Sequence, residues 1–405
     1  MGLSRGTGLS IGRGLSIGAH GLWDGASGLL DGSGTTVPTI YNSAALATYR
    51  TARANRASAP CNIAICGASW EQGYNVYTYG SRWVDLCARN LRTAFPTTGA
   101  TSVQGSTYWP AQYGPNPGGN MGSIYAWSSV LGSGGAFNNS GIGGSGVTLN
   151  TAASGYRYTF DGATFTSFDL YYPAGAGVSP SVFSVSIDGG AAVNINNQTF
   201  SGAVAWNSGA LSAGTHTVDV LYVSGTNAIY TGFMLYNADE GKGIRTLNGG
   251  RGAADSSTTS VFGVYFNDGF LKTANAALCI IDLINNDFST NVNPATYKTN
   301  IQTAITQTRY SAGNSSLPIL LMATNYPGDL GPRTYAYSQY AAKLVEVADA
   351  DALVAVLDLS AYVPPCAYTP ATPRDAIGFW DTDYNHPTTY GHTLLGSLVS
   401  AALGT

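Results

Sequence analysis

A serine and a histidine can together cleave an ester, and this chain places one of each where a turn would present it. Ser69 closes the tripeptide Gly67-Ala68-Ser69, directly after the apolar run Ile63 to Cys66. His386 stands three residues after Asp383 in the stretch DTDYNHPTTYGH. On a tight turn that spacing lets the carboxylate hydrogen-bond the imidazole and fix its tautomer. The other ring nitrogen is then free to take a proton from a serine. A third polar group, Asn285-Asn286-Asp287, ends the apolar stretch that begins at Ala276. Gly-X-Ser turns are common and prove little singly. The weight lies in three polar sites, each at the end of a plausible strand.

Holding such groups together requires a sheet with helices on it. Val84, Cys87, Ala88, Leu91 and Phe95 recur at spacings of three and four, so the segment after Ser69 is a helix with one apolar face. Strand, small-residue turn, then helix exposes a nucleophile at the carboxyl edge of an α/β sheet. Gly243 to Leu247 reads as a strand entering the turn Asn248-Gly249-Gly250. Thr296 to Tyr310 fits a helix, Leu317 to Thr324 a strand, Tyr337 to Val347 a helix, and Leu353 to Leu359 a strand. Tyr390 to Leu398 begins a last helix, at whose start His392 reads as structural. Near-continuous apolar strands alternating with helices predict a mostly parallel sheet covered on both faces.

Gly67-Ala68-Ser69 with Gly73, the Asn248-Gly249-Gly250 turn, Asn286-Asp287 and Asp383-x-x-His386-Pro387 stand in the order of the SGNH hydrolases, or GDSL esterases, which the chain resembles over roughly residues 58–100 and 241–400. The resemblance implies a three-layer α/β/α hydrolase of esters, often acetyl esters of carbohydrates. It implies Ser69 as nucleophile, His386 as base and Asp383 as its partner. Gly250 and Asn286, with the Ser69 amide, would form the oxyanion hole, Gly249 and Gly252 being alternatives to Gly250. Two positions depart from the family pattern: Ala68 where Asp is usual, and Ile284 where Gly precedes x-Asn-Asp. Neither removes a group that does the chemistry, but the first loses a carboxylate that braces the nucleophile turn.

The chain of 405 residues is long enough for two domains. Lys and Arg number 18 against 22 Asp and Glu, for a net charge of −4, which gives no basic footprint for nucleic acid. Its 52 glycines and 26 tyrosines, with Asn, Ser and Thr in place of charges, suit an extracellular or particle-borne protein that handles neutral sugars. The five cysteines show no metal-knuckle spacing, and the four histidines speak against a zinc site. No cofactor is expected, since there is also no phosphate-binding loop. Cys66, Cys87 and Cys279 read as core packing; Cys61 and Cys366 read as loop residues, with a bridge between them possible. No run reaches the length of a transmembrane helix, and the first residues lack the apolar core of a cleavable leader, so neither membrane insertion nor a signal peptide is expected.

Four segments follow. Residues 1–36 repeat Gly-Leu-Ser and Ser-Ile-Gly units too glycine-rich to build a core in one chain. They are a flexible tail, or an arm that orders against copies of itself or a larger particle. Arm, missing leader and enzyme together resemble bacteriophage tail-fibre or tail-associated proteins, which implies a virion-associated, oligomeric protein, a trimer suiting a fibre. Residues 37–145 hold the first part of the hydrolase and a long aromatic loop with Tyr108, Trp109, Tyr113, Tyr125 and Trp127. Neutral rings beside a serine-histidine site can stack on sugars, or simply pin the loop to the body; Trp70, Tyr74 and Trp109 are the substrate-binding candidates. Arg251 meets either a substrate oxygen or, the favoured alternative, an acidic neighbour. Residues 146–240 alternate in short runs (Tyr156, Tyr158, Phe160; Phe183, Val185, Ile187; Val218, Val220, Tyr222) between Asp-Gly turns, predicting an inserted antiparallel β-sandwich. It resembles, at fold level, the jelly-roll carbohydrate-binding modules of polysaccharide enzymes. Residues 241–405 complete the hydrolase. The expected activity is removal of acetyl groups from a bacterial surface polysaccharide. The competing expectation is an inactive glycan-binding fibre protein, motivated by Ala68 and Ile284.

Overall fold

The computed structural model describes residues 37–74, 76, 80–97, 106–111, 127–138, 146–174, 180–197, 202–257, 269–324, 333–363, 378–381 and 385–405, and the backbone of 9–11, 15–18 and 21–24. Its main element is a ten-stranded mixed sheet. In chain order these strands are β1 (Ile40–Tyr41), β2 (Pro60–Gly67), β3 (Tyr108–Pro110), β4 (Ser167–Ala174), β5 (Gly202–Asn207), β6 (Gly232–Tyr236), β7 (Gly243–Gly250), β8 (Ala276–Asp282), β9 (Ile319–Ala323) and β10 (Val354–Asp358). Their spatial order is β5-β4-β6-β3-β7-β2-β8-β9-β10-β1. From β7 to β10 neighbouring strands run parallel. On the other side, β3 pairs with β6, β6 with β4 and β4 with β5, all antiparallel.

The helices are α1 (Ala47–Ala54), α2 (Ser69–Gln72), α3 (Trp83–Ala94), α4 (Phe270–Thr273), α5 (Ile284–Ser289), α6 (Pro294–Ala312), α7 (Tyr337–Ala350) and α8 (Thr389–Gly404). Alternation along each parallel strand sends residues into two different cores. Cys61, Ile63 and Ile65 of β2, with Leu278 and Ile280 of β8, face the core built by α3 and α8. Ala64, Cys66, Cys279 and Ile281 face the opposite core, with Tyr297, Ile301, Tyr340 and Leu344 of α6 and α7. Burial on both faces is what the unbroken apolar runs required, and the result is the expected three-layer α/β/α, SGNH-like arrangement.

The expected sandwich strands form, with a difference. A five-stranded antiparallel sheet orders Val193–Asn196, Ser181–Ile187, Val218–Gly225, Gly155–Tyr158 and Trp127–Leu131; a three-stranded one orders Ala228–Tyr230, Gly146–Leu149 and Ala136–Asn138. Strands thus begin at Trp127, ahead of residue 146. The partner of the five-stranded sheet is no independent sheet: it is the antiparallel half of the main one. Phe168, Leu170, Phe233 and Leu235 meet Tyr158, Phe183, Val218 and Val220 in a third core. On their other face Tyr171 and Met234 share the core of α6. One sheet therefore serves both the α/β layers and the antiparallel strands packed on them.

Two further expectations change. Cys61 lies in β2 and is fully buried, not in a loop, and Cys61, Cys66, Cys87 and Cys279 are all free thiols. Cys366 falls outside the described residues. In the glycine-rich arm Leu9–Ile11, Leu15–Gly18 and Gly21–Asp24 pair as an antiparallel three-stranded sheet, with Leu9 opposite Ile17 and Leu15 opposite Asp24.

Candidate active site

The polar ends of three adjacent strands lie level with one another. In the sheet register Gly67, at the end of β2, is opposite Gly250 of β7 on one side and Asp282 of β8 on the other. The nucleophile turn, the glycine turn and the Asn286 segment thus leave the sheet at one edge. Beyond Gly67 the chain makes the single turn of α2 and ends it at Gly73, whose φ of 90° is one that glycine adopts without strain. Three residues after Ala68, Glu71 reaches back and accepts the Ala68 N–H at 2.6 Å, one half of a capping box. It also accepts the Trp83 indole N–H at 3.1 Å, which ties the turn to α3.

His386 is brought to Ser69 by a loop whose ends are closed on each other. The Asp381 N–H donates to the His386 carbonyl at 2.9 Å, and Trp380 bridges Pro387. The Trp70 indole N–H donates to the Asn385 carbonyl at 3.0 Å, fastening that loop to the nucleophile helix. His386 Nε2 lies 2.8 Å from Ser69 Oγ across 317 residues of chain. Tyr74 stacks on the His386 ring, centroids 3.9 Å apart and planes at 29°. Ser69 and His386 are each 8% exposed. Asp383 lies outside the described residues. His392, read as structural, is fully buried and its Nδ1 accepts the Trp83 backbone N–H at 3.2 Å; burial pushes it down to about 3 and keeps it neutral.

The glycine turn corrects one expectation. The Gly250 N–H donates to Asn248 Oδ1 at 2.9 Å and so is not held out toward Ser69. The Arg251 N–H donates to the Gly67 carbonyl at 3.0 Å, and the Gly252 N–H to Gln72 Oε1 at 2.6 Å. What Gly250 supplies is closeness: a β-carbon there would stand 2.3 Å from the Gln72 nitrogen, so only glycine lets α2 lie on β7. Asn248 completes the clasp, its side-chain N–H donating to the Glu71 carbonyl at 2.8 Å.

Asn286 lies in the first turn of α5, part-buried, and donates one amide hydrogen to the Ala254 carbonyl at 2.7 Å. Its second amide hydrogen is the donor an oxyanion would use. Asp287 accepts the N–H of Ser256 at 2.7 Å and its hydroxyl at 2.5 Å, holding the segment after β7 against α5. Burial raises the Asp287 carboxyl to about 7, against those two hydrogen bonds.

Of the substrate-binding candidates, Tyr74 is stacked on His386. Trp70 is 3% exposed and packed against Phe379 and Trp380, so it is a brace and not a platform. Trp109 is 2% exposed and sits edge-on to Phe160 in the sandwich core. Both rings went where large apolar area is best removed from water. Arg251 is part-buried beside Gly67. Tyr113 and Tyr125 lie outside the described residues. Glu71, Gln72 and Trp83, none of them among the sequence candidates, hold the turn together with Asn248 of the glycine turn. A Glu three residues after the start of a helix is a capping signal, and it was there to be read at Glu71.

A hydroxyl 2.8 Å from an imidazole nitrogen is a nucleophile within proton-transfer reach of a base. No family model matches the chain, and no curated protein matches it. Among solved structures it is similar to one described as a peptidoglycan O-acetylesterase, with a TM-score of 0.59 and 15% identity, covering 91% of this chain and 98% of that one. A family-two carbohydrate esterase with a carbohydrate-binding domain from Corynascus thermopiles (Myceliophthora fergusii) aligns at a TM-score of 0.31 and 14% identity, over 68% of this chain and 98% of that one. The first likeness, reaching across both halves of the sheet, gives the fold as that of an SGNH-type α/β protein with added antiparallel sheets. Both neighbours are described as esterases.

Proposed function

We propose that the protein is a serine esterase that removes acetyl groups from a bacterial surface polysaccharide. The observation that carries this is the 2.8 Å contact between Ser69 Oγ and His386 Nε2 at the edge of the parallel strands. His386 takes the Ser69 proton as the oxygen attacks the ester carbonyl. Asp383 orients the imidazolium, as the resemblance implies. The Ser69 N–H and the free amide hydrogen of Asn286 stabilise the oxyanion, each contributing about 3 kcal/mol in sites of this kind. His386 then protonates the departing sugar hydroxyl, and the same base activates water to release acetate from Ser69.

The substrate class is supported by the solved neighbour described as a peptidoglycan O-acetylesterase and by a surface rich in neutral hydrogen-bonding residues. Tyr74, on the face of His386, is the aromatic group placed to meet the acyl or sugar portion. That residues 1–36 tether the enzyme to a phage tail, as a trimer, belongs to the same proposal and rests on their repeat; sedimentation of the full chain tests it. The activity is tested by acetate release from O-acetylated peptidoglycan and acetylated capsular polysaccharides, with p-nitrophenyl acetate as control. Wild type should turn over and Ser69→Ala should not. Absence of release by either protein on every substrate overturns the reading in favour of a glycan-binding protein.

A further inference from the structure

Beneath the nucleophile turn lie two carboxyl groups that the hydrolysis itself does not use. Glu71 is buried, its oxygens accepting N–H groups from Ala68 and Trp83. Asp282 ends β8, and the register sets it beside Gly67. Gly67 is also where the Glu71 carboxyl lies, with Oε2 2.1 Å from the position a β-carbon would take. Both carboxyl groups thus lie against Gly67. Asp282 is buried too, and among the described residues no N–H or hydroxyl is hydrogen-bonded to either of its oxygens. A buried carboxylate without donors is strongly disfavoured, and two in contact cannot both be charged. One proton resolves both problems. It belongs on Asp282, which has no other way to satisfy itself, and the charge belongs on Glu71, which already accepts two N–H groups.

We propose that Asp282 is a neutral carboxylic acid donating its O–H to an ionised Glu71, and that this pair holds the Ser69 turn where the family's Asp is replaced by Ala68. The kinetic consequence rests on the esterase reading of Ser69; the pair itself does not. Burial raises both groups, and Asp282 the further, because Glu71 adds its repulsion there. The titratable groups facing them are the thiol of Cys66 on β2, with Cys279 beside it, and the phenols of Tyr297 on α6 and Tyr337 on α7. None brings a positive charge. When hydroxide removes the shared proton as water, two carboxylates remain in one buried space and the turn loses its brace. Glu71 and Asp282 are therefore positioning residues, and they add a loss of activity on the alkaline side.

The test uses the full chain. Asp282→Asn supplies an amide that donates the same hydrogen bond and has no proton to lose. It should retain turnover at neutral pH and no longer show the alkaline loss. Glu71→Gln sets an NH2 group against the donors of Ala68 or Trp83, and should lower kcat about tenfold with KM little changed. Infrared spectra of Ser69→Ala at neutral pH should contain protonated-carboxyl absorption that falls when Asp282→Asn is added. The proposal is overturned if Asp282→Asn loses as much turnover as Glu71→Gln, keeps the alkaline loss, or leaves the infrared band unchanged, the band then being that of Asp287. Should Glu71→Gln fail to fold, the Asp282→Asn kinetics and spectrum still decide. If wild type releases no acetate, the esterase reading fails while the spectrum still tests the pair.

Discussion

The two halves of one sheet differ in backbone pairing, parallel in one and antiparallel in the other, and are put to opposite uses. In the parallel half the strands are buried on both faces, and at one edge stand Ser69, Asn248 and Asn286, which follow β2, lie within β7 and follow β8. Against the antiparallel half aromatic rings gather: Phe168 and Phe233 of its strands join Tyr158, Phe160, Phe165 and Tyr230 from outside it in a continuous set of ring contacts. Parallel strands all end on one side and bring separate loops together, while hairpins return the chain to where it came from. The first arrangement assembles a reactive site from distant sequence. The second makes a rigid body.

The comparison breaks most visibly at Ser69. Ser69→Ala should lower acetate release by about 10⁴-fold or more while leaving the unfolding curve nearly unchanged. Phe233→Ala should do the reverse, costing about 3–5 kcal/mol of stability in urea titration by emptying a fully buried ring site. Because the halves share one sheet, that unfolding should remain a single transition by both near-UV dichroism and activity; two transitions would mean the halves are independent. Trp70→Phe removes the donor to the Asn385 carbonyl and should lower kcat about tenfold, since the His386 loop loosens without leaving. The pH dependence of stability sharpens the contrast. The folded carboxyl of Asp287, raised to about 7, holds a proton that the unfolded chain releases near pH 4. Its stabilising contribution is therefore present at low pH and is lost as the pH rises through about 7. Urea unfolding of Asp287→Asn across that window should show a shallower fall than wild type. Smallest of all, Tyr156→Phe should cost about 1 kcal/mol, for the hydroxyl that bonds the Gly135 backbone.

Much of the parallel half was legible because its signals are local. Apolar runs of strand length, helices with one apolar face, and polar residues at strand ends name their own places: the helix expected from Tyr337 starts there and runs to Ala350, three residues past Val347, and the strand expected over Leu353–Leu359 forms over Val354–Asp358. What could not be read depends on contacts far apart in sequence. Trp70 and Trp109 looked like platforms because a tryptophan beside a nucleophile or in a long loop gives no sign of which side it faces. The Gly250 amide was assigned by motif, and only the fold shows that Asn248, two residues earlier, already accepts its hydrogen. The join between sandwich and hydrolase escaped for the same reason: β3 is three residues long, and its pairing with β6 on one side and β7 on the other has no sequence signature.

That join has a consequence for how the protein is made. The strand that carries the nucleophile is synthesised early, yet both of its neighbours, β7 and β8, come from beyond residue 242. Until they emerge, β2 is an apolar ribbon with two open edges, the kind of segment on which nascent chains stick to one another. The antiparallel body between them can close its own core first and, through β3, offer β7 a place to dock. A nucleophile strand that waits so long for its partners makes this protein dependent on slow, late pairing, and its yield in a cell should follow chaperone capacity more closely than that of an enzyme whose strands pair in the order they are translated.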